Sequence, residues 1–148
     1  MKMFINLNTI VSVISLFTLL GCSIRTDFFI QNLTNVNQII RIKYLYNISN
    51  EIQEDNFEKF SFDYENEIIE PSNFNKSTNL KSLKKIEVKD SVIIIDIPKH
   101  STVRIDKTHN FRWTSLIDFI EIKGKKHNIK DIEIKSIKFR NDYVYKIE

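Results

Sequence analysis

The chain has 148 residues and a formal net charge of +3, a length that suits one domain. Hydrophobic residues make up 42% and charged residues 28%, so a disordered or fibrous chain is excluded. There are two glycines, Gly21 and Gly124, and no alanine, while Ile, Lys and Asn are abundant, as an AT-rich genome would encode. Glycine-rich phosphate-binding loops and the glycine-flanked serine elbow of α/β-hydrolases are therefore excluded.

The amino terminus has the pattern of a secretory signal. Lys2 precedes an apolar run whose uninterrupted part, residues 10–20, is shorter than the roughly 20 residues of a membrane-spanning helix. The run ends in Leu19-Leu20-Gly21-Cys22, which resembles the lipobox of bacterial lipoproteins. The resemblance implies cleavage before Cys22 and acylation of its thiol and new amino terminus, enough for stable membrane anchoring. The alternative is a buried free cysteine behind an ordinary signal peptide or an uncleaved anchor. Cys22 is the sole cysteine and so cannot form an intramolecular disulfide, which agrees with lipidation.

This interpretation divides the chain into a signal peptide (1–21), a short tether (22–26) and one domain (27–148). An aspartate directly after the lipidated cysteine looks like a signal for retention in the inner membrane. Here that position is Ser23, so the resemblance favours the outer membrane. In some bacterial lineages an acidic run just after the cysteine directs export to the cell surface. No such run follows Cys22, which favours the periplasmic side. The mature chain keeps 21 basic and 19 acidic residues, so its net charge predicts neither nucleic-acid binding nor strong attraction to anionic lipid.

A hydrophobic period of two dominates the mature chain and predicts β-strands. Residues 39–46 form one such strand, and residues 27–33 form another before it. In the strand 39–46, the residues predicted to face the core are Ile40, Ile42, Tyr44 and Tyr46. The turn-forming residues 34–37 predict that the pair is a hairpin.

Further strands follow along the chain. Phe60, Phe62 and Tyr64 alternate with polar and acidic residues, which predicts a half-buried strand. The apolar run 92–97, ended by Pro98, predicts a central strand covered on both faces, and extended structure resumes at 102–105.

The carboxyl-terminal third is less regular. Residues 113–122 fit both helical and strand spacing, and their β-branched content favours a strand over 116–123. Residues 132–134 and 137–139 predict two short strands, and residues 143–147 close a last hairpin. The helical spacing of Leu80, Leu83 and Ile86 predicts a partly helical segment over 77–86, while residues 48–56 and 70–79 are expected to be loops.

About eight short strands separated by turns predict an all-β fold, a single antiparallel β-sandwich. The pattern also resembles small immunoglobulin-like or transthyretin-like domains of lipoproteins. The resemblance rests on Ile30-Gln31-Asn32-Leu33-Thr34 and Ile95-Asp96-Ile97-Pro98. It implies the fold and no functional residue.

Residues that could carry chemistry are few. His100, His109 and His127 lack metal-ligand spacing, so neither a metal nor another cofactor is expected. Ser101, Asp106 and His109 contain the residue types of a nucleophilic triad. Asp63, Glu65 and Glu67 would be spaced about 6.5–7 Å apart along a strand, near the spacing of inverting glycosidases, but a solvated acidic face is the simpler interpretation. No catalytic residue is therefore assigned, and the protein is not expected to be an enzyme.

Two surface features suggest binding. Phe111 and Trp113 would share a strand face, where an exposed aromatic pair can hold a sugar or a protein; the alternative for Trp113 is a place in the core. Two basic segments could contact lipid headgroups or an acidic partner: Lys81, Lys84 and Lys85, and Lys123, Lys125, Lys126, His127 and Lys130.

The sequence thus predicts a lipid-anchored envelope protein that acts as a non-catalytic interaction or structural module. Its expected partners are the membrane, through Cys22, and an envelope protein that contacts sheet edges or loops. A glycan- or small-ligand-binding lipoprotein is the alternative, and a small periplasmic hydrolase a weaker third.

Overall fold

The computed structural model of the protein describes residues 23–48 and 60–148. The predicted signal peptide, Cys22 and most of the predicted loop 48–56 lie outside these residues. The strands are β1 (Arg25–Asn32), β2 (Gln38–Tyr44), β3 (Asp63–Glu65), β4 (Lys81–Ser82), β5 (Lys85–Lys89), β6 (Val92–Ile97), β7 (Ser101–His109), β8 (Ile117–Ile122), β9 (Lys125–Asn128), β10 (Ile137–Phe139) and β11 (Asp142–Ile147). The helices are α1 (Pro71–Phe74), α2 (Trp113–Leu116) and α3 (Ile129–Lys135).

The described strands form two sheets packed face to face. One has the order β10-β11-β1-β7-β3-β4 and the other β5-β6-β2-β8-β9. Paired strands are antiparallel except β1 and β11, which are parallel. One core lies between the sheets, with members from both sheets and from α2, including Phe28, Ile30, Ile40, Ile42, Ile93, Ile95, Trp113 and Ile120. The predicted all-β sandwich is confirmed.

The predicted hairpin over residues 27–46 is wrong, because its two strands belong to different sheets. β1 pairs with β7 and β11, whereas β2 pairs with β6 and β8. Alternation cannot separate a hairpin from a crossover, since in both cases every second side chain faces the core. Residues 34–37 carry the chain from one sheet to the other.

Residues 132–134 are part of α3 and not of a strand. Asn128 caps this helix, its side-chain oxygen accepting a hydrogen bond from the Asp131 backbone N–H at 2.9 Å. Ile129 and Ile132, three positions apart, face the core, while Ile134 is 81% exposed. The cap therefore sets a helical period that overrides the alternation of isoleucines.

Residues 77–86 are not helical either. They contain β4 and the start of β5, which pair with β3 and β6. The helical turn in this part of the chain is α1, which ends three residues before residue 77 and has Pro71 in its first turn. Sheet pairing here outweighs a weak helical pattern.

Other strand predictions hold with changes in detail. β6 coincides with the predicted residues 92–97, but Val92 and Ile94 are half-exposed, so one of its faces is open. The predicted strand after residue 116 is β8, and α2 precedes it. The helical spacing of this segment thus corresponds to α2, and its strand spacing to β8. The last hairpin is confirmed as β10 and β11.

A strap formed by residues 66–80 covers the outer face of the six-stranded sheet. The Thr102 hydroxyl donates to the Glu67 carbonyl at 2.9 Å and accepts from the Ile69 N–H at 3.0 Å. Phe74 then packs edge-on against the fully buried Phe29, with ring centroids 5.1 Å apart. The strap thus builds a second small core and explains why β1 is buried on both faces.

Asn32, fully buried at the end of β1, joins the two segments on which the sandwich resemblance rests. Its Nδ2 donates to the carbonyls of Val36 at 2.9 Å, Ile97 at 3.3 Å and Pro98 at 3.0 Å. Its Oδ1 accepts from the N–H and hydroxyl of Thr34 at 3.1 and 2.7 Å. One side chain therefore fixes the turn between the sheets and its contact with the β6–β7 turn.

Candidate functional surfaces

A charged network lies where β1 begins. Arg25 makes two hydrogen bonds to the fully buried Asp27 carboxylate, at 2.7 and 3.2 Å. Arg104 approaches the same carboxylate at 3.8 Å and also pairs with Asp63. The Asp27 backbone N–H donates to Asp142 Oδ1 at 2.9 Å. Shared guanidinium groups thus balance the buried negative charge.

A polar pocket of about 350 Å³ opens beside this network, between α1 and the β10–β11 turn. Its walls include Glu70, Asn75, Arg140 and Asp142. Burial raises the pKa of Asp142 above its usual range, and the nearby Asp27 adds to this; the backbone hydrogen bond and Arg25 act in the opposite direction. The pocket offers charges of both signs, which suits a small polar or zwitterionic ligand.

The outer face of the five-stranded sheet is open among the described residues. Both aliphatic and charged side chains point outward there, and Ile39 is 63% exposed. A shallow depression of about 450 Å³ surrounds it, lined by Arg41, Ile94, Glu121 and Lys123 among others. An exposed aliphatic centre with a charged surround is typical of a protein-contact surface.

The aromatic pair considered from the sequence does not form an exposed platform. Trp113 is fully buried in α2, where it stacks on Phe28 at 4.3 Å with an interplanar angle of 6°. Phe111 is half-buried and meets the edge of Tyr143 at 6.0 Å. The two side chains lie on a turn and a helix, so the strand geometry assumed for them is wrong.

The triad residues are not brought together. Ser101 and His109 are the two ends of β7, eight residues and about 26 Å apart. The Ser101 hydroxyl is buried and donates to the Pro98 carbonyl at 2.6 Å. That hydroxyl therefore has a structural partner.

The acidic residues and histidines also have structural surroundings. Asp63 pairs with Arg104, and Glu65 accepts from the Ser77 hydroxyl at 3.0 Å. His100 Nε2 lies 2.7 Å from Asn35 Oδ1. Burial lowers the pKa of His127, with Lys125 and Lys135 adding to this effect. In the described part of the chain, no group of three or more His, Cys, Asp or Glu could hold a metal ion.

The sheet edges are short and rich in lysine. The edge strands β4, β5, β9 and β10 have two to five residues each. The predicted basic residues, except Lys130 in α3, lie in three of these strands or in their turns. Short, lysine-bearing edges oppose the addition of another strand. These edges are therefore poor sites for the edge contact expected from the sequence.

Sequence reasoning missed the Arg25–Asp27 network and the pocket beside it. Arg25 and Asp27 are two positions apart, so one strand face carries both, which is a usable signal. Arg104, Asp142 and Asn75 come from distant parts of the chain. Arg104 and Asp142 approach through the pairing of β1 with β7 and β11, and Asn75 approaches through the strap, neither of which the sequence revealed.

No helix within residues 23–48 and 60–148 is long and apolar enough to cross a membrane. Comparison of the chain with protein-family models, with curated proteins and with solved structures found no match.

Proposed function

We propose that the protein is a lipid-anchored bacterial envelope lipoprotein, held by Cys22 in the outer membrane on its periplasmic side, that binds an envelope protein through its five-stranded sheet. The observation that carries the binding proposal is the difference between the two outer faces. The strap covers one face with a second core, whereas the described residues leave the other open around Ile39.

The chemistry of the open face defines the kind of partner. Burying the exposed Ile39 side chain would contribute roughly 1–2 kcal/mol, on the scale for an aliphatic residue that is already partly covered. Arg41 and Glu121, paired across β2 and β8, supply opposite charges beside it. A partner with an apolar centre and charges of both signs fits this surface.

The test is chemical crosslinking of the anchored protein in cell envelopes, followed by mass spectrometry. Ile39→Glu should abolish capture of a specific partner, since it places a charge at the contact centre. Ile134→Glu, at an 81% exposed site on α3, is the matched control and should retain capture. Cys22→Ala should reduce capture by removing the anchor. Recovery of the wild-type monomer alone would contradict the interaction role.

A second candidate function is the binding of a glycan or other small polar ligand in the pocket of Asp142 and Arg140. The mixed charges and the volume of about 350 Å³ favour it. A screen for ligands that raise the melting temperature of the wild type tests it. A genuine pocket ligand should lose this effect with Arg140→Glu and keep it with Lys146→Glu.

A further inference from the structure

We propose that the end of the sandwich where β1 begins docks onto anionic phospholipid headgroups of the bilayer that holds Cys22. This inference rests on the proposed lipid anchor and adds an orientation and a lipid-binding surface to it. The docking surface consists of four exposed basic side chains, Lys107, Arg112, Lys138 and Arg140, together with the half-buried Phe111.

The tether is too short to separate the domain from the membrane. Ile24 is fixed to the turn after β7, donating its N–H to Asn110 Oδ1 at 2.9 Å and accepting from the Asn110 N–H at 2.7 Å. Only Ser23 stands between Ile24 and Cys22. Two residues span at most about 7 Å, so a lipidated Cys22 places this end of the domain at the headgroups.

Strand pairing gathers the basic residues at that end. Arg25 at the start of β1 lies opposite His109 at the end of β7, and Lys107 lies opposite Asp27. The β10–β11 turn, with Arg140, is at the same end, because Phe28 pairs with Tyr143. Of the acidic groups nearest to it, Asp27 and Asp142 are buried or half-buried and engaged in the network of Arg25. Asp106 is buried, and Glu70 is exposed on the wall of the pocket that it shares with Arg140.

Phe111 adds an apolar contact to the charges. Lys138 Nζ lies 5.2 Å from its ring centroid, so a cation and an aromatic ring are presented together. Asn110 and Phe111 both have positive φ, 54° and 60°, which is uncommon for a bulky side chain. A basic and aromatic surface beside a lipid anchor matches the interfacial region of a bilayer.

Charge is distributed differently elsewhere in the molecule. On the five-stranded sheet, the same end carries charges of both signs, with Asp90 and Asp118 close to Lys43 and Lys89. Among the described residues, we therefore place the docking surface on the six-stranded sheet. The turn at Lys123-Gly124 belongs to a basic segment for which the sequence suggested either lipid headgroups or an acidic partner. It lies at the opposite end with Asn32 and Glu148. Position relative to the tether, rather than net charge, thus selects the residues that meet the membrane.

The experiment uses the protein purified from bacterial membranes and reconstituted into vesicles with a dansyl-labelled lipid headgroup. Trp113, the sole tryptophan, lies beside the docking surface and serves as the energy donor. We expect stronger energy transfer on phosphatidylglycerol vesicles than on phosphatidylcholine vesicles. This difference should vanish in 1 M salt, where the screening length is about 3 Å.

Matched triple variants identify the surface. Arg112→Glu, Lys138→Glu and Arg140→Glu together should abolish the preference for anionic vesicles. Lys99→Glu, Lys125→Glu and Lys146→Glu change the net charge equally at the far end and should preserve it. Equal energy transfer from wild type on both lipids would overturn the docking proposal while leaving the anchor intact.

Failure of the anchor has a different signature. A protein with an unmodified Cys22, identified by mass, would refute the lipidation, and its flotation with vesicles then tests the surface alone. Salt-sensitive flotation with phosphatidylglycerol only would support the docking surface, and no flotation would overturn it.

Discussion

Asn32 offers a sharp test of how one buried side chain holds the sandwich together. Its Nδ2 group supplies hydrogen bonds to three backbone carbonyls, and Asn32→Ala leaves these carbonyls without that donor. The two N–H hydrogens are shared among the three carbonyls, so we count two donated bonds. The two bonds that Oδ1 accepts from Thr34 are lost as well and are left out of this count, so the figure is a lower bound. At about 1–2 kcal/mol for each lost bond in a buried site, the variant should lose roughly 2–4 kcal/mol of unfolding free energy.

Asn32→Asp separates the hydrogen-bond interpretation from simple loss of volume. A carboxylate would face the same three carbonyl oxygens, so at pH 7 we expect this variant to be less stable than Asn32→Ala, although it is nearly isosteric. Burial among acceptors raises the pKa of the introduced carboxyl above its unfolded value. The protonated form is therefore favoured by folding, and stability relative to wild type should be greatest below about pH 4 and fall as the pH rises through the folded pKa.

Urea unfolding at pH 4 and pH 7, followed by Trp113 fluorescence, measures both effects. The buried Trp113 reports loss of the core, and the wild type at each pH corrects for other titrating groups. Equal stability losses for the two variants at both pH values would refute the assignment of Asn32 as a donor to these carbonyls.

Three further outcomes are expected. Trp113→Ala should lower the unfolding free energy by about 3–5 kcal/mol and Trp113→Phe by less, measured by circular dichroism, since the smaller ring retains the stack on Phe28. Asp142→Asn keeps an oxygen acceptor for the Asp27 N–H but removes a carboxyl group whose pKa is raised by burial. Ionisation of Asp142 costs stability as the pH rises through that raised pKa, so the variant should be at least as stable as the wild type at pH 7. In urea titrations it should also lose less stability than the wild type between pH 4 and pH 7. A variant that is less stable than the wild type at pH 7 would contradict this. Lys123→Asn should raise the unfolding free energy by about 0.5 kcal/mol, because φ is positive at both positions of the turn at Lys123-Gly124 and Asn-Gly suits such a turn. A thermal midpoint that is unchanged or lower would contradict this.

The sequence by itself determined the class of fold and many of its strands. Alternation such as Ile40 and Ile42 against Arg41 and Lys43 places one face in a core whatever the neighbouring strand is, because the side-chain period of a strand is local. The lipobox resemblance at Cys22 is likewise a local pattern, and the lipid anchor drawn from it stays a prediction.

Tertiary structure decided which strands are neighbours. Local alternation carries no information on partners, so β1 and β2 looked like a hairpin although they lie in different sheets. The pairing of residues 81–89 overrode the leucine and isoleucine spacing in β4 and β5, because the hydrogen-bond partners lie in β3 and β6, outside the short window in which periodicity is read. The cap at Asn128 is instead a local signal, since its partner is the Asp131 N–H three residues away, and the alternating isoleucines of α3 hid it.

The candidate surfaces depended on that pairing as well. Arg112, Lys138 and Arg140 are separated in sequence and become one surface only when β7 and β11 flank β1. Trp113 looked like a possible ligand contact until α2 turned it onto Phe28. Net charge and composition are sums over the chain, whereas binding depends on where each charge lies, and long-range strand pairing sets those positions.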